Sequence, residues 1–347
     1  MRILNTIESW EAYFEDVCLR EDIAAAHLKI ISAQLKSGVP VIFDVEHLSL
    51  LLGVSSTYLA SAVSVPRYHY RDFAIPKKRG GVRTISAPRA ALKGVQRWIL
   101  DNILNCFLPH KCAFGFRAKK SILNHARTHC TAGRILKLDV AEFFPSIKLD
   151  RVIGLFKSFG YTPGVAFTLA SLCCLDRQLP QGAPTSPAIS NLVCRRLDNR
   201  LHAFASKNRF RYSRYADDIA LSGRDLNSSV IQIIRGILAE EGFALRDDKT
   251  RIYGVHSKRI LTGLSASLDG VKLPREDRRQ LRSVCHQIRK FGFLSYLANN
   301  KIRDPMFLAR LIGRFSFWCY IEPENAFASE ALAHLRGVER QFLAARS

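Results

Sequence analysis

Acidic residues are in short supply in this chain. Its 347 residues hold 30 Asp plus Glu against 52 Lys plus Arg, a formal charge of +22. An imbalance of that size speaks of partners rather than of fold, and it points to a polyanion, because each phosphate neutralised releases counterions. On charge alone, a merely soluble basic protein is the plainer alternative. Paired cysteines are lacking too. The nine cysteines include no Cys-x-x-Cys and follow no regular spacing. An odd count without a secretory signal indicates reduced thiols in a cytoplasm. The N-terminal stretch carries Glu8, Glu11, Glu15 and Asp16, which does not suit a signal peptide. The longest apolar stretch, Gly164 to Leu175, falls well short of the roughly 20 residues that span a bilayer. No repeat, low-complexity tract or flexible linker stands out. These absences predict a soluble, cytoplasmic protein with no membrane partner.

Hydrophobic residues, at 48%, supply ample material for a core. The length suits one large domain or two to three small ones. Residues 8 to 36 read as an amphipathic helix ending at Gly38 and Pro40. Short helices are expected on either side of Gly53. Tyr70 to Pro76 and Val82 to Ile85 form a strand-like pair around Lys78 to Gly81, where Gly80-Gly81 signals a hairpin. Helical spacing follows from Ala90 to Phe107, a buried strand from Ile135 to Val140, and a helix from Leu192 to Phe204. Two strands flank Asp217, and a helix from Val230 stops at Gly242. From Pro274 onward helical patterns dominate, with breaks near Gly292, Pro305 and Pro323.

Basic residues concentrate in three places. Arg67 to Lys93 is one. Lys111 to Lys137 is the second, and no acidic residue interrupts it. The third holds Arg275, Arg278, Arg279, Arg282, Arg289 and Lys290. One charge run is usually a solvated helix face; three runs around a carboxylate centre look more like the walls of a nucleic-acid channel.

That centre is marked by Tyr215-Ala216-Asp217-Asp218, with strand-forming residues on both sides. Adjacent carboxylates at a hairpin tip repel unless cations neutralise them. An ordinary Asp-rich turn is the competing reading. A second strand, Ile135 to Val140, brings Asp139 to the end of an apolar run, a poor place for an unpaired charge. A metal would supply the missing partner. Two Mg²⁺ about 4 Å apart activate an attacking hydroxyl and stabilise a leaving oxygen in phosphoryl transfer. Mg²⁺ prefers hard carboxylate and phosphate oxygens, which Asp139, Asp217, Asp218 and a nucleotide would provide.

Six segments in order resemble the motifs of reverse transcriptases, most closely those of bacterial retrons. They are Phe73 to Pro88, Asp139 to Phe144, Leu179 to Asn191, Tyr215 to Asp218, Gly242 to Leu245 with Lys249-Thr250, and Leu261 to Leu264. The likeness runs from about Tyr70 to Leu264 and is looser beyond. It implies a right-hand polymerase of α/β (α+β) class, with an N-terminal helical region over 1–65, fingers over 66–135, a palm over 136–264 and a helical thumb over 265–347. It implies metal binding by Asp139, Val140, Asp217 and Asp218, and a general-acid role for Lys249, for which a surface salt bridge beside Asp247 and Asp248 is the alternative. Contact with dNTPs falls to Lys77, Arg83, Gln181 and Phe144, the last as a steric gate against a ribose 2′-OH. Core packing is the other reading for Phe143 and Phe144. RNA contact falls to His129, Thr262, Gly263 and the arginines from Arg275 to Arg289. Gly182 would let the backbone approach substrate closely, or simply serve a turn.

Retron enzymes usually carry Asn-Ala-x-x-His where this chain has His125 to His129, and Val-Thr-Gly where it has Leu261 to Gly263. Zinc at His125 and His129 lacks a second ligand cluster. The resemblance further implies two Mg²⁺ per site and a cognate noncoding RNA serving as template and primer carrier. It implies priming from a guanosine 2′-OH, a branched RNA–DNA product (msDNA), and a role in antiphage defence with a separate effector protein. It leaves room for higher-order assembly. Intron-derived, diversity-generating or abortive-infection reverse transcriptases are the nearest alternatives. A scaffold that binds RNA without catalysis is the alternative of another class.

Overall fold

The computed structural model describes residues 6–76 and 80–344. Two N-terminal helices, α1 (Ile7–Asp16) and α2 (Glu21–Lys36), pair through Trp10, Phe14 and Ile31. One continuous helix was expected here; the chain instead turns between them, with Cys18 at φ +53°. Helices α3 (Val45–Leu52) and α4 (Ser56–Ser64) follow, α3 ending on Gly53 in the left-handed conformation, as a helix C-terminus commonly does.

A two-stranded hairpin, β1 (Tyr70–Pro76) and β2 (Val82–Pro88), projects next. Its connecting Lys77, Lys78 and Arg79 lie outside the described residues. Helices α5 (Ala90–Asn102) and α6 (Ile122–Arg127) lead into β3 (Arg134–Asp139). Between β3 and the next strand come α7 (Phe143–Ser146), α8 (Leu149–Ser158), α9 (Pro163–Cys173), α10 (Ser186–Val193) and α11 (Arg195–Lys207). Helix α9 buries seven of its eleven residues, and Cys173 and the following Cys174 lie in the core.

The central antiparallel sheet adds β4 (Arg211–Tyr215), β5 (Asp218–Gly223) and β6 (Arg251–Tyr253), in the order β4-β5-β3-β6. Helix α12 (Ser228–Glu240) joins β5 to the segment that leads into β6. Alternation along β3 decides its two faces. Leu136 and Leu138 enter the large core shared with α5, α8, α9, α10 and α11. Ile135 enters a second core, formed with the C-terminal helices.

A small sheet of β7 (Ile260–Leu261), β8 (Leu264–Ser267) and β9 (Gly270–Lys272) links the sheet to those helices: α13 (Arg275–Phe291), α14 (Phe293–Asn299), α15 (Phe307–Ile321) and α16 (Ala326–Ala344). A division at residue 264 falls at the first residue of β8. Helix α6 packs into the C-terminal core through Leu123 and Ala126, so it bridges the two halves. The breaks expected near Gly292, Pro305 and Pro323 separate these helices. Among the described residues no helix is long and apolar enough to cross a membrane.

Candidate active site

Register pairing sets Asp139 at the end of β3 directly opposite Asp218 at the start of β5. Asp217 lies in the two-residue turn between Tyr215 and Asp218. The Val140 amide donates to the Asp217 carbonyl at 3.0 Å, and the Arg246 amide donates to the Asp139 carbonyl at 2.8 Å. The three aspartates therefore sit together at one edge of the sheet. Ala216, the turn's first residue, has φ +56°, a conformation a residue with a Cβ adopts only where its surroundings impose it.

Charge in this cluster is balanced by basic side chains. Asp139 is 5% exposed, and Lys249 Nζ stands 2.8 Å from its Oδ2. The expectation of an unpaired charge at the strand end is thus corrected: Lys249 is its partner, with Arg246 Nε at 4.0 Å from Oδ1. Asp247 and Asp248, the partners in the alternative reading of Lys249, pair with Arg235 and Arg246. Lys137, on the same face of β3 as Asp139, brings Nζ to 3.0 Å from Asp218 Oδ1. That oxygen is buried, and the approach lies outside hydrogen-bond geometry.

Burial, then the charges of Asp218 and Asp139, raises the Asp217 carboxyl above its ordinary 3.8. Burial raises Asp218 too, opposed by the Lys137 charge. Carboxylates held at such a cost are a natural seat for divalent cations. The donor set is hard oxygen, and Val140 can add only its backbone carbonyl, since its side chain has no donor. Among the described residues no three His, Cys, Asp or Glu side chains form a ready-made metal cage. Mg²⁺ in phosphoryl-transfer sites is typically held by one or two carboxylates plus substrate phosphates, so this open arrangement fits Mg²⁺.

The residues expected to contact the nucleotide differ in their exposure. Phe143 is core, packed with Phe243, whereas Phe144 is half-buried against that core, its ring centroid 6.0 Å from that of Phe116. Gln181 is also half-buried, and its carbonyl accepts from the Ser86 amide at 2.8 Å. Gly182 has φ +129°, and a Cβ there would lie 2.8 Å from Ser86 O and 2.9 Å from Ile85 Cγ2. The close approach that requires glycine is therefore to β2. Arg83 is exposed on β2, opposite Ile75. Lys77 lies outside the described residues.

Among the RNA candidates, His129 is a correction. It has no exposed surface, and its ring nitrogens engage Ser222 Oγ at 2.7 Å and Ser213 Oγ at 2.6 Å. Burial drives its pKa well below 6.5, so it is a neutral internal link with no face to offer RNA. His125 is buried likewise, its pKa pushed down to about 3 by burial. It lies between Tyr215, with ring centroids 5.8 Å apart, and Thr262, whose Oγ1 is 3.4 Å away. Thr262 and Gly263 form the β7–β8 turn, both at positive φ, as a two-residue hairpin of type I′ demands. They line a groove of about 450 Å³ with Arg314 and Phe317. Arg275, Arg278 and Arg279 line a neighbouring groove of about 440 Å³ with Lys258. Arg282 and Arg289 instead lie over the Phe327 ring at 5.0 and 5.9 Å.

Sequence reasoning placed Lys137 only in a basic run, not beside the aspartates, and did not single out the buried Arg214–Asp198 pair. Period two along β3 is a signal that puts Lys137 beside Asp139. For Arg214 no local signal exists, because its partner is 16 residues away on a helix.

A family model described as reverse transcriptase (RNA-dependent DNA polymerase) matches residues 75–294. The chain is 35% identical over 255 residues to the retron Ec86 reverse transcriptase of Escherichia coli, covering 72% of this chain and 80% of that one. Two Myxococcus xanthus proteins are similar as well. The retron Mx162 reverse transcriptase is 35% identical, covering 64% of this chain and 53% of its own. For the retron Mx65 reverse transcriptase the values are 36%, 74% and 65%. The telomerase of Candida albicans, solved with a fragment of telomeric RNA, aligns at TM-score 0.45 and 11% identity over 78% of this chain and 63% of that one.

Proposed function

This chain belongs to the bacterial retron reverse transcriptases and is an RNA-directed DNA polymerase, and from that premise we propose that it copies its own structured noncoding RNA into branched, RNA-linked single-stranded DNA. Synthesis would begin at a guanosine 2′-OH of the same RNA. The observation that carries the catalytic part is the pairing of Asp139 with Asp218 across β3 and β5, with Asp217 in the adjoining turn. Bound there by the three carboxylates and the Val140 carbonyl, two Mg²⁺ would supply charge neutralisation and an activated attacking hydroxyl.

The chain's own residues do the rest. Arg83 and Lys77 of the fingers contact the triphosphate; an arginine fork suits bidentate phosphate binding and a lysine acts as a point charge. Gln181 orients the nucleotide, and Phe144 excludes the ribose 2′-OH. Lys249 releases Asp139 and hands an Nζ proton to the departing pyrophosphate, a general-acid role. The exposed arginines of α13, with Thr262 and Gly263, hold the RNA by phosphates and shape, since A-form duplexes offer backbone and 2′-OH groups more readily than base edges. Fingers over 66–135, palm over 136–264 and thumb over 265–347 make the hand. The setting is the cytoplasm and the biological role antiphage defence, with a separate effector protein and room for higher-order assembly.

The experiment is to purify the protein, sequence the nucleic acid that comes with it, and assay primer extension with Mg²⁺. Covalently joined RNA and DNA branching from a guanosine is the expected product. Active enzyme with only linear, 3′-primed DNA would point to one of the other bacterial reverse transcriptases. A protein that binds RNA but never extends a primer would be a scaffold.

A further inference from the structure

We propose that Arg214, clamped by Asp198, is a positioning residue that fixes the aspartate turn from inside the protein. The proposal rests on the assignment of Asp217 and Asp218 as metal ligands. Arg214 and Asp198 have no exposed side-chain surface. The guanidinium makes a two-pronged contact with the carboxylate, Nε to Oδ1 at 2.8 Å and Nη2 to Oδ2 at 2.7 Å. Tyr212 donates its hydroxyl to the same Oδ1 at 2.6 Å. A buried ion pair of this kind is weak evidence of stability, because apolar residues of similar volume often replace it without loss. What apolar residues cannot replace is the use made of the remaining donors.

Those donors point at the catalytic turn. Arg214 Nη1 donates to the Ala216 carbonyl at 3.2 Å, and Nη2 reaches Asn191 Oδ1 at 3.2 Å. Asn191 Nδ2 in turn donates to the Gly115 carbonyl at 2.9 Å. Gly115 presses on the other side of the same residue: a Cβ there would sit 2.6 Å from the Ala216 amide nitrogen. Ala216 is the turn residue with positive φ, and a strained residue persists only when its surroundings over-determine it. Here one side of Ala216 is tied by Arg214 and the other is backed by Gly115, and Asn191 locks both. Asn191 also ends the segment that begins near Gln181, so one network joins the nucleotide segment to the metal-binding turn.

The test compares two variants with active wild type. The triple substitution Arg214→Met, Asp198→Leu, Tyr212→Phe removes both buried charges and the hydroxyl that serves them, while keeping volume. Arg214→Lys keeps the charge opposite Asp198 but lacks the second arm for Ala216. Thermal melting and RNA binding report folding. Single-turnover nucleotide addition reports rate and dNTP affinity, and Mn²⁺ binding followed by electron paramagnetic resonance reports the metal site directly. A misplacement of about 1 Å at a reacting centre costs about 100-fold. Both variants should therefore fold, add nucleotides about 100-fold more slowly, bind dNTP about as well as wild type, and bind Mn²⁺ several-fold more weakly. Folded variants with wild-type rate and Mn²⁺ affinity would overturn the proposal. Failure of both to fold would make the pair a structural element and overturn it equally. Wild type that binds Mn²⁺ normally but extends no primer would instead refute the polymerase assignment.

Discussion

Replacing Asp217 or Asp218 by Asn should slow catalysis steeply in both cases but affect stability differently. Each change removes a charge from the centre where phosphoryl-transfer charge is neutralised. Losing one such electrostatic contact costs about 3–4 kcal/mol, which at about 1.4 kcal/mol per decade is a 10²–10³-fold loss of rate. The double variant should show no extension. Stability follows from the neighbours. The Asp217 carboxyl is raised from 3.8 by burial and by Asp218 and Asp139, and no ion-pair partner stands beside it among the described residues. A carboxyl whose pKa rises on folding binds its proton more tightly folded than unfolded, so stability falls as pH climbs from 3.8 through the raised value, and stays low above it. Asp217→Asn removes that penalty. We expect a higher melting temperature at pH 7 without divalent metal. The gain should shrink as pH is lowered toward the ordinary carboxylate range. Asp218→Asn removes a similar penalty but leaves Lys137, 21% exposed, facing a neutral amide, so it should gain little or lose. Melting in a chelating buffer across pH, beside primer extension in Mg²⁺, reads both halves. Full extension by either variant removes the metal assignment; a lower melting point for Asp217→Asn at pH 7 refutes the electrostatic reasoning.

Phe144→Ala should raise incorporation of ribonucleotides relative to deoxyribonucleotides, by opening space at the half-buried ring; the ratio of the two specificity constants decides, and an unchanged ratio puts the gate elsewhere. Gly182→Ala should loosen β2 from Gln181, because φ +129° and a 2.8 Å approach to Ser86 O leave no room for a methyl; strain of about 1–3 kcal/mol should appear as a higher KM for dNTP with little change in RNA affinity. Neutralising Arg275 and Arg279 together should weaken cognate-RNA binding and lower the slope of log affinity against log salt by at most about 1.8, the contribution of two phosphate contacts. A wild-type slope in that double variant would move the RNA grip to the basic segment from Lys111 to Lys137.

The hairpin of β4 and β5 and the strand β3 were legible because apolar alternation and a two-residue turn are local signals. So were the breaks at Gly53, Gly242 and Gly292, where the chain takes positive φ. The reversal at Cys18 was not, since neither glycine nor proline marks it and the apolar spacing runs on from α1 to α2. The helix expected from Leu192 to Phe204 is mostly α11, which starts at Arg195 after a break at Cys194, and α10 precedes it from Ser186, with Pro187 in its first turn, where its missing amide costs nothing. Strands β7 to β9 are two to four residues long, too short for a period of two to register. The family motifs placed the aspartates, but the role given to His129 depended on exposure, which no motif records. Arg214 and Asp198 escaped for the same reason: a buried charge is legible only once its partner is in place.

The basic residues around the aspartates bear on how such a site waits for its substrates. Asp139, Asp217 and Asp218 face Lys249 at 2.8 Å, Lys137 at 3.0 Å and Arg246 at 4.0 Å. Asp139 and Asp218 thus each meet an ammonium group, while Arg246 is shared with Asp248 and Asp217 has no ion-pair partner among the described residues, so the negative charge of the centre is only partly offset. A divalent ion held by these carboxylates would have to displace an ammonium group from Asp139 or Asp218, and the displaced cation would repel it. A triphosphate changes that balance, because its oxygens can both share the ion and accept the released lysine. Metal and nucleotide therefore gain from each other's presence, and by linkage the gain is reciprocal. Lys249 is the side chain for which this matters most: the residue proposed as proton donor to pyrophosphate is held by the carboxylate proposed to take the metal, so the exchange that would load the site would also free its acid.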